Sequence, residues 1–130
     1  MIVDSSALVA ILYDEPEAQA CIAAMYATQC RISAANFLEA AIVIDSARSP
    51  VAGHRLDDLL VQTRMVIEPV TEEQVRIARQ AYRDYGRGSG HPARLNFGDC
   101  FAYALARASG EPLLFKGDDF RHTDIIPALI

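Results

Sequence analysis

The chain lacks the features that mark membrane-spanning and disulfide-stabilised proteins. No apolar stretch approaches the roughly 18 residues of a membrane span, and Asp4 interrupts the first apolar run before a signal-peptide core could form. The three cysteines, Cys21, Cys30 and Cys100, are odd in number and lack Cys-x-x-Cys spacing, which disfavours a disulfide framework and a zinc knuckle. We therefore expect a cytoplasmic protein with small buried thiols and no membrane contact.

The sequence also has little positive charge and few histidines. A formal net charge of −5 argues against broad nucleic-acid affinity, because phosphate binding normally requires a basic surface. A nuclease is still possible, since clustered carboxylates would contribute several negative charges and a bound metal would reverse the local sign. His54, His91 and His122 share no metal-ligand spacing, and no serine or cysteine nucleophile pairs with them. A histidine-based, metal-free ribonuclease is therefore disfavoured.

Short apolar strands alternate with helices along the 130 residues. The predicted strands are Met1 to Asp4, Arg31 to Ser33, Met65 to Ile67 and Leu113 to Phe115, with Asp124 to Ile126 as a last edge strand. This alternation predicts an α/β fold with a central, mostly parallel sheet that is flanked by helices on both faces. The length and ordinary composition predict a single domain over residues 1–130.

Turn and capping signals set the expected helix boundaries. Pro16 starts a second helix, and a third helix ends near Ser46; this third helix is apolar almost all round, which predicts that it is buried. Arg48 to Gly53 is expected to be a connector, and Tyr85 to Leu95, rich in glycine, a long flexible loop. Asn96 can cap a helix that Gly110 terminates.

Acidic residues lie where such a sheet would bring them to one edge. Asp4 follows the first strand, Asp118 and Asp119 follow the strand that starts at Leu113, and Asp99 lies at a helix N-terminus. The carboxyl ends of parallel strands, and the helices that follow them, share the edge at which ligands bind. If these acids meet there with Glu39, they form a site for hard divalent cations.

Each acid also has a purely structural interpretation. Asp4 could cap the following helix, Asp99 could stabilise the helix N-terminus at position N3, and Gly117-Asp118-Asp119 could be a simple turn. Glu39 is the hardest to explain in this way, because its neighbours in sequence and at helical spacing are apolar. Coincidence at all of these positions is less probable than one shared cause.

Several segments together resemble the successive motifs of the PIN-domain ribonucleases, and most closely the VapC-type toxins of bacterial toxin-antitoxin systems. They are Met1-Ile2-Val3-Asp4-Ser5-Ser6-Ala7, Phe37-Leu38-Glu39, Leu95-Asn96-Phe97-Gly98-Asp99-Cys100 and Leu113-Leu114-Phe115-Lys116-Gly117-Asp118-Asp119-Phe120. The resemblance covers essentially the whole chain. It implies a PIN fold, metal-dependent endonucleolytic cleavage of RNA, and neutralisation by a cognate VapB-like antitoxin. Many relatives place the last acid directly after the strand, where this chain has Lys116-Gly117. Asp119 before Phe120 matches the family pattern better than Asp118 does, but Asp118 stays open as the last acid.

Clustered carboxylates would bind Mg²⁺ or Mn²⁺ through oxygen, and the ion would activate water and hold the scissile phosphate. We expect Asp4 and Asp99 to be direct ligands, and Glu39 and Asp119 to serve a second metal or to position water. Ser6, one turn past Asp4, would orient that aspartate or contact substrate.

Basic residues around these acids are candidates for RNA contact. Arg83, Arg87 and Arg94 surround the glycine-rich loop, while Lys116, Arg121 and His122 flank the last acids. A solvated helix face explains Arg83 and Arg87 equally well. Apolar helix residues, namely Leu56, Leu59, Leu60 and Val75, suggest additional apolar surface and hence a homodimer.

Two alternatives come from other functional classes. A receiver-like regulatory module would also bind Mg²⁺ at strand ends, and Lys116 could be its lysine, but no predicted mid-chain strand ends in an aspartate. A catalytically silent Mg²⁺-binding module is disfavoured because every acidic position is filled.

Overall fold

Four short parallel strands form the sheet of the computed structural model, which describes residues 1–129. The strands are β1 (Ile2–Val3), β2 (Arg31–Ser33), β3 (Val66–Glu68) and β4 (Leu113–Leu114). Their order across the sheet is β3-β2-β1-β4, and each neighbouring pair is parallel. Ile2 pairs with Arg31 on one side and with Leu113 on the other, so β1 occupies an interior position. The predicted parallel sheet is confirmed.

Helices connect the strands and cover the sheet. They are α1 (Ser5–Leu12), α2 (Ala18–Ala27), α3 (Ala34–Ser46), α4 (Pro50–Gln62), α5 (Glu72–Tyr85) and α6 (Phe97–Ser109), followed by a 3-10 turn over Asp119–His122. Asn96 caps α6, and Gly110 ends it in the left-handed conformation at φ 66°, as the sequence predicts. None of the helices in residues 1–129 is long and apolar enough to cross a membrane.

Consecutive strand residues point into two separate apolar cores. Val3 and Leu114 belong to the core formed with α1 to α4, whereas Ile2 and Leu113 belong to the core formed mainly with α5 and α6. This alternation is the two-residue period of a β-strand. Both faces of the sheet are therefore covered by helices, which confirms the predicted α/β architecture and leaves the strand ends as the open edge.

Several predicted boundaries are wrong. Helix α4 begins at Pro50, inside the segment expected to be a connector, because proline is well tolerated in the first helical turn. Helix α2 begins at Ala18 rather than at Pro16. The expected edge strand over Asp124 to Ile126 is not formed; instead, Pro127 makes an isolated parallel bridge with Leu113. The helix starts are displaced by a few residues from the predicted positions, whereas the edge strand is reduced to a single bridge just beyond the predicted segment.

The expectation that α3 is buried all round is wrong. Ala40 and Ile44 are fully buried, but Leu38 and Ile42 are each 58% exposed. Composition alone could not separate these faces, because the apolar residues continue around the helix. The opposite error concerns Leu56 and Leu59, which were expected to add surface for association but lie in the core.

The glycine-rich segment after α5 is closed at its base rather than extended. The Arg87 amide donates to the Leu95 carbonyl at 3.0 Å, and the Leu95 amide donates to the Tyr85 carbonyl at 2.9 Å. Gly88 and Gly90 lie at φ 88° and 84°, where a Cβ would cause strain. Leu95 is fully buried, so this loop is anchored directly before α6 and fixes where that helix begins.

Candidate active site

Asp4 is a buried carboxylate at the open edge of the sheet, directly after β1. It is only 2% exposed, and its Oδ2 accepts a hydrogen bond of 3.0 Å from the Ser6 amide. This contact makes Asp4 the N-cap of α1, so the structural interpretation of the residue holds. Its other oxygen, Oδ1, is buried without any hydrogen-bond partner. Capping therefore accounts for one oxygen of this carboxylate and leaves the second free.

The surroundings of Asp4 oppose its negative charge. Burial raises its pKa from 3.8 to about 7, hydrogen bonding from Ser6 lowers it, and the charges of Asp99 and Glu39 raise it further. A carboxylate that is buried near like charges favours its neutral form unless a cation is present. The protein alone therefore provides nothing that stabilises the ionised form of Asp4 at Oδ1, and a bound cation would do so.

Glu39 projects from α3 toward the same edge and is held by hydrogen bonds. The Ser5 hydroxyl donates to its Oε1 at 2.5 Å, and the Asn36 amide nitrogen donates to the same oxygen at 3.3 Å. Asn36 is fully buried and also donates to the Gly98 carbonyl at 2.9 Å. The carboxylate of Glu39 thus lies where α1, α3 and α6 meet.

Asp99 combines a structural role with proximity to the other acids. Its Oδ2 accepts from the backbone amide of Asn96 at 2.9 Å, and the side-chain Oδ1 of Asn96 accepts from the backbone amide of Asp99 at 2.9 Å. These two contacts form a complete capping box. Burial raises its pKa, the Asn96 amide lowers it, the charges of Asp119 and Glu39 raise it, and Arg87 lowers it. Asp99 is therefore electrostatically linked to acids from two other segments.

The two aspartates after β4 have different surroundings. The Asp118 side chain is 88% exposed, and its Oδ1 lies 3.8 Å from Arg121 Nε. Asp119 begins the 3-10 turn, and its charge contributes to the raised pKa of Asp99. Asp119 is thus the member of the pair that acts on the other acids, and its assignment as the last catalytic acid stays a prediction.

The fold brings Asp4, Glu39, Asp99 and Asp119 into one electrostatic neighbourhood, but not into a finished metal site. Asp4 is coupled to Asp99 and Glu39, and Asp99 is coupled to Asp119. Within residues 1–129, no three acidic, cysteine or histidine side chains are already arranged as a metal-binding group. The carboxylates are therefore electrostatically linked, Arg87 only partly offsets their charge, and the side chains would have to turn toward an ion to bind it together.

A groove of about 340 Å³ reaches Glu39, one of these acids. It is lined by residues of α1 and α3 and by the segment after β4, namely Ser5, Ser6, Val9, Glu15, Glu39, Val43 and Lys116. A larger cavity of about 510 Å³ lies between α5 and α6, and its lining is almost wholly apolar. Of these two cavities, the smaller groove has the more polar lining and is the one that contains a candidate acid, Glu39.

The four predicted substrate-contacting residues have different positions. Lys116 lines the groove, where it pairs with Glu15 and lies 4.0 Å from Glu17, and its amide donates to the Ser6 hydroxyl at 3.0 Å. Arg121 lies over the Phe115 ring at 5.5 Å, outside the residues lining the groove. Arg94 is exposed at φ 51° beside the loop base and does not line the groove.

Sequence reasoning missed Ser5 and Asn36 as partners of Glu39. It favoured Ser6 as the orienting residue, and hydrogen bonds from both the side chain and the backbone of Ser6 lower the pKa of Asp4. The Ser5 side chain instead reaches Glu39. An asparagine three residues before a glutamate on an otherwise apolar helix was the available signal, because residues at that spacing are neighbours on a helix surface. For Ser5 there was none, since the contact joins two helices.

The geometry offers no support for a receiver-like module. Strand β2 ends at Ser33 and β3 ends at Glu68, so neither of these strands supplies the aspartate that would accept a phosphoryl group. Lys116 is paired with Glu15 instead of with such an aspartate.

Comparisons with known proteins agree with this fold and arrangement. The PIN domain family model matches residues 1–126. Ribonuclease VapC28 of Mycobacterium tuberculosis is 57% identical over 99% of this chain and 98% of its own length. Ribonuclease VapC42 of the same species is 51% identical over 98% of each chain.

A solved structure shows the same fold at much lower sequence identity. It is the crystal structure of Mycobacterium tuberculosis VapC20, described as a Sarcin-Ricin loop cleaving toxin, which superposes with a TM-score of 0.71. The likeness covers 96% of this chain and 95% of that one at 17% identity. The family match and the relatives that align over nearly their whole length lead to one conclusion: this chain belongs to the PIN-domain family, among its VapC-type members.

Proposed function

We propose that the protein is a metal-dependent endoribonuclease that hydrolyses RNA phosphodiester bonds, and the toxin component of a type II toxin-antitoxin system. The observation that carries this proposal is the buried Asp4 carboxylate, whose Oδ1 has no partner and whose charge is opposed by neighbouring acids. A divalent cation would satisfy both deficits. Relatives named as VapC ribonucleases, 57% and 51% identical over nearly the whole chain, support RNA as the substrate.

The donor set fits Mg²⁺ or Mn²⁺. Carboxylate oxygens are the ligands that these hard cations prefer. The neighbouring Cys100 thiol stays protonated, because burial and the charge of Asp99 raise its pKa to about 11, so it does not favour a softer metal. We expect Asp4 Oδ1 and Asp99 to be direct ligands. Glu39 and Asp119 would complete the site or position water, with Glu39 directed by the hydroxyl of Ser5.

Each residue then has a defined part in hydrolysis. When bound, Mg²⁺ or Mn²⁺ supplies activation of water and neutralises charge that develops on the phosphate oxygens. Glu39 would accept a proton from the attacking water or align it, since its carboxylate is fixed from two sides by Ser5 and Asn36. Arg87 lies near Asp99 and would attract the RNA backbone toward the acids. Lys116 lines the groove and would have to exchange its pairing with Glu15 for an RNA phosphate.

The toxin assignment implies partners. A VapB-like antitoxin would enter the acidic groove with a basic side chain, most simply an arginine, because a guanidinium binds clustered carboxylates in a bidentate manner. Exposed apolar side chains, including Leu38, Ile42 and Phe97, leave surface that is suited to a homodimer. We expect this assembly to act in the cytoplasm.

A cleavage assay on purified protein tests the proposal. RNA should be cut in Mg²⁺ or Mn²⁺ and left intact in EDTA. Attack by water leaves 5′-phosphate and 3′-hydroxyl ends, whereas attack by the RNA 2′-hydroxyl leaves a cyclic phosphate. Undiminished cleavage in EDTA, or cyclic-phosphate products, would contradict metal-dependent hydrolysis. Asp4→Asn keeps the capping oxygen of α1 and removes the charge, so it is the matched inactive variant.

A further inference from the structure

We propose that Asn36 is a positioning residue that fixes the Glu39 carboxylate between α3 and α6. Its amide nitrogen donates both to Glu39 Oε1 at 3.3 Å and to the Gly98 carbonyl at 2.9 Å. One side chain thereby ties the acid of α3 to the first turn of α6, which carries Asp99. The inference rests on the proposed function only in treating Glu39 as part of the site.

Asn36 has the burial expected of a fixed element. It is 0% exposed, and its own oxygen, Oδ1, is buried without a partner. An unpaired buried polar atom destabilises the folded state, and an apolar side chain at this position would avoid that destabilisation. Compared with an apolar side chain, asparagine contributes only the hydrogen-bond donors of its amide nitrogen. Its two described contacts are with Glu39 itself and with the carbonyl of Gly98, which packs against Glu39.

Gly98 supplies the space on the other side of Glu39. A Cβ at this position would overlap the Glu39 carboxylate, with Oε2 as the nearest atom. Gly98 lies in the first turn of α6 and its φ is not positive, so backbone conformation does not require glycine there. The small residue instead lets the carboxylate of α3 lie against the backbone of α6.

These contacts hold Glu39 from three directions. Ser5 donates from α1, and Asn36 donates from α3, the helix that carries Glu39 itself. The backbone of Gly98, which has no side chain, limits movement toward α6. Partners that orient a metal ligand or catalytic carboxylate typically change metal affinity or activity by about 10- to 100-fold when they are removed. Asn36 would therefore act through Glu39 without touching substrate.

The decisive experiment compares the wild type with two single variants, Asn36→Leu and Gly98→Ala. A double-mutant cycle then pairs Asn36→Leu with Glu39→Gln. Leucine keeps the branching of asparagine at Cγ but cannot donate, and alanine at position 98 displaces the flexible end of Glu39 rather than backbone. The first readout is the Glu39 carboxylate in crystal structures of the wild type and of both variants, which needs neither metal nor activity. We expect the carboxylate to leave its wild-type position in both variants.

The second readout is Mn²⁺ affinity by calorimetry, together with kcat and KM for RNA. Asn36→Leu should weaken Mn²⁺ binding by about 10-fold and lower kcat more than it changes KM. In the Glu39→Gln background it should have no further effect, since the residue acts through Glu39. Ile44→Val, a buried change on the same helix, is the control for a general loss of stability.

Two results would overturn the inference: an unmoved Glu39 carboxylate in Asn36→Leu, or equal losses of Mn²⁺ affinity with and without Glu39. If Asn36→Leu does not fold, Asn36→Ala removes the same donor without adding volume, and an unmoved Glu39 carboxylate there would equally overturn the inference. Wild-type protein that cuts no RNA would refute the proposed function, whereas the crystallographic comparison would still decide the role of Asn36.

Discussion

The hydroxyl of Ser5 donates to the carboxylate of Glu39 and thereby joins the first residue of α1 to the middle of α3. Asp4, directly before Ser5, uses the same helix start to hold one of its own oxygens through the Ser6 amide. Two acids that are 35 positions apart in sequence are therefore set by one short turn after β1. The positions of both carboxylates therefore depend on where β1, an interior strand of the sheet, ends.

The metal-free protein should lose stability as the pH rises toward 8. Burial raises the pKa of Asp4 to about 7, so the stability from its neutral form is present below about pH 4 and is lost as the pH rises through 7. We expect the melting temperature in EDTA to fall by roughly 5 °C or more between pH 5.5 and 8. Asp4→Asn, which cannot ionise, should show a much smaller change. A melting temperature that is higher at pH 8 in the wild type would contradict this prediction.

Asp99→Asn should stabilise the metal-free protein. Asparagine can still accept from the Asn96 amide, so the capping contact is kept while a charge near Asp119 and Glu39 is removed. We expect a melting temperature in EDTA that is raised by roughly 2–5 °C, and little of the stabilisation that Mg²⁺ gives by binding the native state. Thermal denaturation with and without Mg²⁺ measures both. A variant that melts lower and keeps its Mg²⁺ response would make Asp99 only a cap.

Glu39 should be required for cleavage, while Asp45 on the same helix should not. Six residues turn a helix by about 600°, which places the two side chains on separate faces, and Asp45 is exposed. Glu39→Gln should lower kcat by about 100-fold or more with little change in melting temperature, and Asp45→Asn should leave both unchanged. Equal activity of the two variants in a single-turnover RNA assay would remove Glu39 from the site.

Single substitutions should separate Asp118 from Asp119. Asp119 acts electrostatically on Asp99, whereas Asp118 is largely solvent-exposed and lies near Arg121. Asp119→Asn should therefore reduce cleavage and Mn²⁺ affinity by about 10-fold or more, and Asp118→Asn should have little effect. An inactive Asp118→Asn beside an active Asp119→Asn would reverse the assignment.

The antitoxin and Mg²⁺ should compete for the acidic groove. Inhibition by the small protein encoded beside this one should weaken as Mg²⁺ is raised, and should be lost when its groove-binding arginine is replaced by alanine. The measurement is RNA cleavage across a Mg²⁺ titration, with light scattering of the free chain to determine whether it is a dimer. A monomer whose activity ignores that neighbour would contradict both the inhibition and the assembly.

The strand and helix order was readable from the sequence because each element carries its own local pattern. Leu113 and Leu114 predict a strand, and Asn96 with Gly110 delimits a helix, without reference to the rest of the chain. The exposed face of α3 was not readable, since Leu38 and Ile42 are as apolar as its buried residues and only tertiary packing distinguishes them. Periodicity is uninformative when both faces are hydrophobic.

The acids of the candidate site were found because a parallel sheet has a defined edge, so position along each strand predicts position in space. The residues that hold them were harder to predict. Ser5 and Asn36 act on Glu39 through side-chain directions and an interhelical distance that no spacing rule contains. The same limit applies to Gly98, whose importance depends on a carboxylate from another helix.

The interior position of β1 has a consequence for the chain during its synthesis. Strand β1 is completed by pairing with β4, more than a hundred residues later, and Asp119 follows β4. Contacts of such sequence separation form only after the intervening chain exists, and loop closure makes them slow. A nascent or prematurely terminated polypeptide therefore carries Asp4 and Glu39 without their later partners. The four acids of the candidate site can therefore meet only after nearly all of the chain has been translated.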